Sequence, residues 1–526
     1  MATPHQPPAP LKPTLRNLRV LLSILLLFLN YFLAQFDKFL YSYFQPSLLS
    51  DLSLTPTQYG LLNGYATSIA YALLALPIAF ISDYTRSRVW ILTLCSLWWS
   101  ACFALQSLAN NFWQLLLGRL AMGLGQAAVE ALSVSLISDL VRRRERVWVA
   151  EGALYVGVYV GEAVNAQIST AFRNNGLSWR IALRGVGVAG VLVGVAIRVV
   201  LREPERRASL LQDGYGGDGF GEAKGDAKTD EDSRVDGIPP QSTHDPPKSR
   251  FSTATQQLRL ALHHAVSMHS FLLLTLAASL RQLSGNVFGY YMPSYLSSTY
   301  PSIPSLLSNY GIIVGTVGSS SVLLGGLLGA YFLRGRREWV TFPLWLTGVG
   351  GMVSSGFVLL MVFAKQLRGG DEDSGAKVLY AVMALAYLTA ELWLGAFAAL
   401  LVLLFPPRLK TFLLTIYQAV IILVYSSGPE IVGLALKGLD PSSDGYLQRT
   451  KVVLAVIIPA GYWLAGVLFL LAVGKVRRDV KETRVLEGGV ESRPTTRGRK
   501  MMYLGSLGLL GVIVIVLFVL SLVYGI

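Results

Sequence analysis

LREPERRASLLQDGYGGDGFGEAKGDAKTDEDSRVDGIPPQSTHDPPKSRFST, residues 201–253, is rich in Gly, Pro, Asp and Lys and nearly free of large apolar side chains. It cannot bury enough apolar surface to offset the entropy of ordering, so it reads as a disordered linker. On either side the chain changes in kind. Apolar segments fall near 20–48, 58–82, 89–108, 112–138, 147–171 and 178–201 before it, and near 266–296, 304–333, 338–364, 377–405, 409–436 and 450–474 after it. Runs of this length cross a hydrocarbon core of about 30 Å. Six spans, a polar linker and six more spans divide the chain into two lobes.

Composition supports the same class. Of 526 residues, 53% are hydrophobic and only 14% charged, with a mean hydropathy of +0.50. A soluble domain would carry about a quarter charged residues. The period-two alternation of a membrane β-barrel is absent, which leaves an all-α polytopic membrane protein. The net charge of +14 would suggest nucleic acid in a soluble protein. Here the basic residues cluster in alternate short loops, DYTRSR (83–88), VRRRER (141–146), RGRRE (334–338), PPRLK (406–410) and KVRRDVK (475–481), so they read as topology signals and no nucleic-acid partner is expected. By the positive-inside bias the N-terminus and the central linker are cytosolic.

This reading sets a cytosolic tail at 1–17, a first lobe at 18–202, a cytosolic linker at 203–258, a second lobe at 259–476, a basic cytosolic segment at 477–500 and a further span at 501–526. The Pro-rich tail MATPHQPPAPLKPTLRNLR has no compact apolar region with a cleavage site, so no secretory signal is expected. Cys95 and Cys102 lie seven apart in one apolar run and cannot bridge each other. The span MMYLGSLGLLGVIVIVLFVLSLVYGI, residues 501–526, does not fit a six-plus-six plan. The sequence leaves it open between a lipid-facing appendage and a dimerisation helix; a monomer is the simpler expectation.

The order of local motifs resembles the major facilitator superfamily, whose fold is two six-helix lobes around a central cavity. In GRLAMGLGQAAVE, Arg119, Gly123 and Gly125 match that superfamily's R-x-x-x-G-x-G, where small residues let helices approach closely. The loop AFISDYTRSR keeps Asp83, Arg86 and Arg88 of the superfamily's G-x-x-x-D-R-x-x-R-[RK] pattern, with Ala79 and Tyr84 as departures. Within the superfamily, FDKFLYSYFQPSLLSDLSLTPTQYGLL, WRIALR (179–184), LREPERR (201–207) and TAELWLGAFAALLVLLFPPRL (389–409) resemble Spinster-type transporters. That resemblance implies alternating-access transport of lysophospholipids or sphingoid phosphates, and a cytosolic gate at Asp83, Arg86 and Arg88.

Ionisable residues inside the spans carry the functional reading. Asp37, Lys38, Arg119, Glu130, Glu162, Arg281 and Glu391 all fall within apolar segments. Each costs roughly 2.5–3.5 kcal/mol at the bilayer centre, so even half of them amount to something on the order of 10 kcal/mol unless they face water or one another. At about 100° per residue, Asn30, Ala34, Asp37 and Tyr41 share a stripe, as do Arg119, Gln126 and Glu130, and Tyr155, Glu162 and Ser169. Such stripes suit helices that line a central cavity. Structural readings compete: a snorkelling Asp37–Lys38 pair at the interface, an ion pair at Arg119, an interhelix hydrogen bond at Glu162. Where the Spinster resemblance places a carboxylate, this chain has Gln126, so Glu130 or Asp37, opposite Arg119, becomes the expected proton site. Uncoupled facilitation is the alternative.

Fixed cations with Gln282, Asn286, Tyr290, Glu391, Trp393 and Tyr417 suit a small amphipathic substrate with an anionic or zwitterionic head. A small organic anion or sugar acid is the second reading, and a non-transporting ligand sensor the third. The five histidines lie in the tail, the linker or the entry to span seven, and no H-x-x-x-x-D, H-E-x-x-H or C-x-x-C occurs. No enzyme, metal or cofactor is expected. Gly428-Pro429 is expected to kink span eleven.

Overall fold

The computed structural model describes residues 13–85, 87–141, 144–204, 250–333, 339–405, 409–485 and 496–525. The expected tail, most of the linker, Arg86, much of the basic loops, and the side chains of Asp37 and Asp83 lie outside the described residues. Everything described is helix or short connection.

The first lobe comprises α1 (Pro13–Tyr43), α2 (Gln45–Asp51), α3 (Pro56–Asn63), α4 (Tyr65–Thr85), α5 (Arg88–Gln106), α6 (Phe112–Gln126), α7 (Val129–Leu140), α8 (Arg144–Asn174) and α9 (Trp179–Val200). The second comprises α10 (Arg250–Ser267), α11 (Phe271–Thr299), α12 (Leu306–Ile313), a π-turn at Val314–Gly318, α13 (Ser319–Leu333), α14 (Phe342–Val362), α15 (Glu372–Leu404), α16 (Lys410–Tyr425), α17 (Ser427–Ala435) and α18 (Asp444–Val485). A last helix, α19 (Arg497–Gly525), follows. Two boundaries differ from the sequence reading. Helix α10 begins inside the expected linker, and α18 continues past 476 into the segment expected as basic loop.

Among the described residues, twelve helical stretches are long and apolar enough to cross a membrane, α19 among them. The fifth span, α8, is not one of the twelve, because Glu162, Asn165, Gln167 and Ser169 interrupt it. Its polarity follows from its position: α8 packs on α1 within its own lobe and on α12 and the π-turn of the other.

Local chemistry sets the helix ends. Thr55 caps α3 through a reciprocal box, its Oγ1 accepting from Gln58 N at 3.1 Å while Thr55 N donates to Gln58 Oε1 at 2.9 Å. Asn111 Oδ1 accepts from Gln114 N at 3.0 Å to start α6, and Asp371 does the same for α15 through Ser374 N. Asp479 of α18 caps α11, accepting from Ser270 N at 2.8 Å and His269 N at 3.0 Å. His269, Asp479 and Glu482 gather their ligand atoms within 4.8 Å. With Asp479 already taken up by backbone donors and Arg499 against His269 Nε2, the cluster reads as a helix joint.

The span-four glycines do what their spacing suggests. A Cβ on Gly123 would meet Thr67 O at 2.3 Å, and one on Gly125 would meet Cys95 O at 2.7 Å. The Spinster-like motifs of the first lobe act as staples at its two ends. Arg180 donates to Ser107 O (2.9 Å) and Ala109 O (2.6 Å), and Trp179 Nε1 donates to Asp51 Oδ2 at 2.8 Å. At the opposite end Arg88, 3% exposed, pairs with Asp139 at 2.6 Å and Glu203 at 2.8 Å. Arg88 is thus held inside the first lobe, and the expected gate partners Asp83 and Arg86 fall outside what is described.

The lobes meet along two seams built from glycine. On one, Gly311, Gly315 and Gly318 lie against α8, where added Cβ atoms would meet Ala166 Cβ at 2.4 Å, Ala163 Cβ at 2.6 Å and Tyr159 Cδ1 at 2.5 Å. On the other, two broken spans face each other: α3–α4 breaks at Gly64 and α16–α17 breaks at Ser426, ahead of Pro429. A Cβ on Gly64 would meet Ser426 O at 2.5 Å, and one on Gly60 would meet Pro429 O at 2.6 Å. Glycine at these two positions lets the backbones of the two spans touch.

Gly311→Val is expected to lower stability by about 1–3 kcal/mol through overpacking at this seam. Gly356→Ala, with nothing within 4 Å of its would-be Cβ, is expected to be neutral or slightly stabilising. Melting of the two variants in detergent checks the pair.

Candidate functional site

Buried and half-buried acids lie at the interface, and each finds a partner on the other lobe. Glu391 of α15 accepts from Tyr159 Oη of α8 at 2.5 Å. Glu162 of α8, 4% exposed, accepts from Tyr310 Oη of α12 at 3.2 Å, and Tyr310 is 3.2 Å from the Tyr387 hydroxyl of α15. Glu130 of α7 accepts from Gln418 Nε2 of α16 at 3.0 Å, and from Tyr155 Oη of its own lobe at 3.2 Å. Lys38 of α1 lies 5.1 Å from the Tyr425 ring of α16, a cation–π contact across the same interface. Carboxylates out of water are costly without donors, and phenols supply a donor on an otherwise apolar body.

The two arginines play different parts. Arg281 of α11, 2% exposed, donates to Ala390 O at 2.7 Å, lies 3.8 Å from Glu391 Oε1, and stacks on Tyr462 (4.0 Å) and Trp393 (5.5 Å). It belongs to the interlobe cluster through Glu391. The bonds of Arg119 run from span four to span two. Its Nε donates to Leu62 O at 2.7 Å and its Nη2 to Asn63 Oδ1 at 3.1 Å, with Tyr41 under the guanidinium at 4.2 Å. Arg119 ties α6 to the end of α3 at the point where span two breaks.

The other expected site residues divide. Gln126 is the half-buried last residue of α6. Asn286 is buried, with its Nδ2 on no protein acceptor among the described residues, and Gln282 is half-buried one turn before it on α11. Tyr290 packs against Phe39 of α1 at 6.4 Å, at the interface. Trp393 and Tyr417 instead lie in the second-lobe core around Phe397 and Phe469, so they serve packing more than the interface. The residue beside Tyr417, Gln418, makes the cross-lobe bond.

The sequence reading misses Tyr159, Tyr310, Gln418 and Glu430. The first three carry no signal that separates them from ordinary interfacial aromatics and amides. Glu430 does: it is an acid inside the apolar segment 409–436, the criterion that picked out the others. It is fully buried and accepts from Tyr65 N of the first lobe at 3.3 Å.

Tyr159→Phe and Glu391→Gln remove the same charge-assisted bond. In a double-mutant cycle on detergent melting they are expected to be strongly non-additive, with a coupling of about 1.5–3 kcal/mol. Additive losses would mean that the bond does not form.

The sequence pattern of the Major Facilitator Superfamily matches residues 27–429. A probable L-galactonate transporter of Escherichia coli (strain K12) is 26% identical over 186 residues, 35% of this chain and 40% of that protein. A sphingosine-1-phosphate transporter of Danio rerio is 22% identical over 305 residues, 55% of this chain and 52% of that protein. The chain thus spans about half or less of the curated relatives it matches. Among solved structures, a bacterial homologue of the human lysosomal transporter Spinster, inward-facing and unoccupied, superimposes with a TM-score of 0.59 at 20% identity, covering 90% of this chain and 98% of that one. A D-xylose–proton symporter gives a TM-score of 0.57 at 14% identity, covering 91% and 99%. Two packed six-span lobes, glycine-lined seams and a family match running from α1 into α17 lead to one conclusion: this multi-pass integral membrane protein belongs to the Major Facilitator Superfamily.

Proposed function

We infer that the protein is a transporter whose lobes rock against each other and expose a mid-membrane site to each side in turn. The observation that carries this reading is the set of acids within the spans, buried Glu162 and half-buried Glu130 and Glu391, each bonded by a neutral donor of the opposite lobe. Such bonds hold one arrangement of the lobes. They are also exchangeable, because a phenol or amide that leaves a carboxylate can be replaced by water or by a ligand group at little net cost.

The cargo this site suits best is an amphipathic lipid with an anionic or zwitterionic head, such as a lysophospholipid or a sphingoid phosphate. Arg281, buried among Glu391, Tyr462 and Trp393, offers a forked donor to a phosphate. Asn286 adds a second donor on the same helix. The aromatics Phe39, Phe288, Tyr290 and Tyr387 at the interface would take an acyl chain. The likeness to a sphingosine-1-phosphate transporter supports this class. A small sugar acid is the second reading, favoured by the 26% identity to a probable L-galactonate transporter. Protons are the proposed coupling ion, with Glu130 or Asp37 as the carrier, since Gln126 cannot titrate.

Uptake into proteoliposomes tests the reading, with sphingosine-1-phosphate, lysophosphatidylcholine and L-galactonate as probes, with and without a pH gradient. The expected result is uptake of a lipid probe, reduced roughly tenfold or more by Arg281→Ala, the equivalent of about 1.4 kcal/mol. Uptake of L-galactonate alone would move the assignment to sugar acids. Binding of a probe that never crosses the membrane would favour a sensor. If Glu130→Gln and Asp37→Asn both leave gradient-driven uptake intact, proton coupling through these carboxylates is wrong.

A further inference from the structure

The last helix has no place in a two-times-six plan, yet it is not idle on the lipid face. Its two ends are bonded to different lobes. Near its start, Arg499 Nη1 donates to Ser267 O at 2.7 Å, and Tyr503 Oη accepts from Leu272 N at 3.2 Å. Both partners belong to the second lobe. Towards its end, Gly525 O accepts from Gln58 Nε2 of the first lobe at 2.7 Å, and Phe518 packs on Tyr65 at 6.4 Å.

Between these ends Ser521, fully buried, donates to Glu430 Oε2, while Glu430 Oε1 accepts from Tyr65 N at 3.3 Å. One buried carboxylate therefore joins three elements: α17, the first residue of α4, and α19. Beside it Ser427 Oγ and Tyr65 Oη lie 2.6 Å apart, again across the lobes. Lys437 of the second lobe covers the Tyr524 ring at 3.3 Å. The remaining face of α19, with Leu504, Leu509 and Ile515, is exposed.

We propose that α19 is a strap across the α3/α4–α16/α17 seam, fastened at Glu430, that holds the lobes together at the end of the bundle bearing the 44–55 loop. The proposal rests on the rocking motion inferred above. That motion must part Gly60 from Pro429 and Gly64 from Ser426, and α19 is bonded on both sides of this parting line. Its early anchors to the second lobe make it travel with that lobe. Opening must then break Tyr65–Glu430 and one of the two bonds that close the strap near its end, Gln58–Gly525 on the first lobe or Ser521–Glu430 on the second, so losing either one loosens it. A helix so placed biases the equilibrium between the two arrangements by the free energy of those bonds.

The test uses the full chain with Cys95 and Cys102 replaced and spin labels at Asn110 and Gln366, which occupy exposed loops of different lobes at the same end. The interlabel distance distribution is compared with that of Ser521→Ala, of a chain ending at Val485, and of Leu509→Ala on the lipid-facing side. Gly60→Val, which wedges the seam itself, is the positive control. The strap predicts a roughly tenfold gain of a longer distance in Ser521→Ala, at least as much in the shortened chain, and none in Leu509→Ala. A longer distance in Gly60→Val with none in Ser521→Ala or the shortened chain would overturn the strap and leave rocking intact. A single unchanged distance in every variant would overturn both.

Discussion

An ionised or polar group taken out of water must find a partner, and in this protein the partner stands on the opposite lobe. Glu130, Glu162, Glu391 and Glu430 each accept a bond from across the interface. The consequence is a bundle whose apolar core runs through both halves but whose interface also carries polar contacts from one half to the other. An apolar interface of the same area would be stable but would have no reason to separate. A polar one, with neutral donors on anionic acceptors, can trade its bonds for water or ligand when it opens. Tyrosine is the residue repeatedly used, because its ring fills the seam and its hydroxyl meets the acid.

Glycine makes those bonds reachable. With no Cβ at Gly311, Gly315 and Gly318, α8 comes close enough for Tyr159 to reach Glu391. At Gly60 and Gly64 the backbones of spans two and eleven touch, and Glu430 reaches the Tyr65 amide. In lipid, where apolar side chains gain little by leaving their surroundings, this close approach supplies the association that burial supplies in water. The two staples, Arg88–Asp139–Glu203 at one end of the first lobe and Trp179–Asp51 with Arg180 at the other, keep that lobe rigid enough to move as a body.

How much of this the sequence discloses depends on the range of the interaction. The spans and the close-packing glycines of span four are local patterns, and the structure has them. The intramembrane acids were visible for the same reason, since their cost depends on depth alone. Their partners were not. Nothing near Glu391 points to Tyr159, 232 positions earlier, because only the fold brings them together. The bonds of Arg119 to Leu62 and Asn63 were hidden in the same way, since helical arithmetic along its own span says nothing of the end of α3. Span five, read at 147–171, is legible despite a polar stripe that makes it less apolar than the other spans, because that stripe faces a protein neighbour.

The central claim is that transport requires the α8–α12/α13 seam to part. The most direct measurement joins the seam covalently, with Ala163→Cys and Gly315→Cys in a background lacking Cys95 and Cys102, and follows uptake of whichever probe the parent carries in proteoliposomes. The account predicts that the disulfide forms on oxidation, that uptake falls to background, and that reduction restores it. Undiminished uptake with the disulfide complete would contradict it.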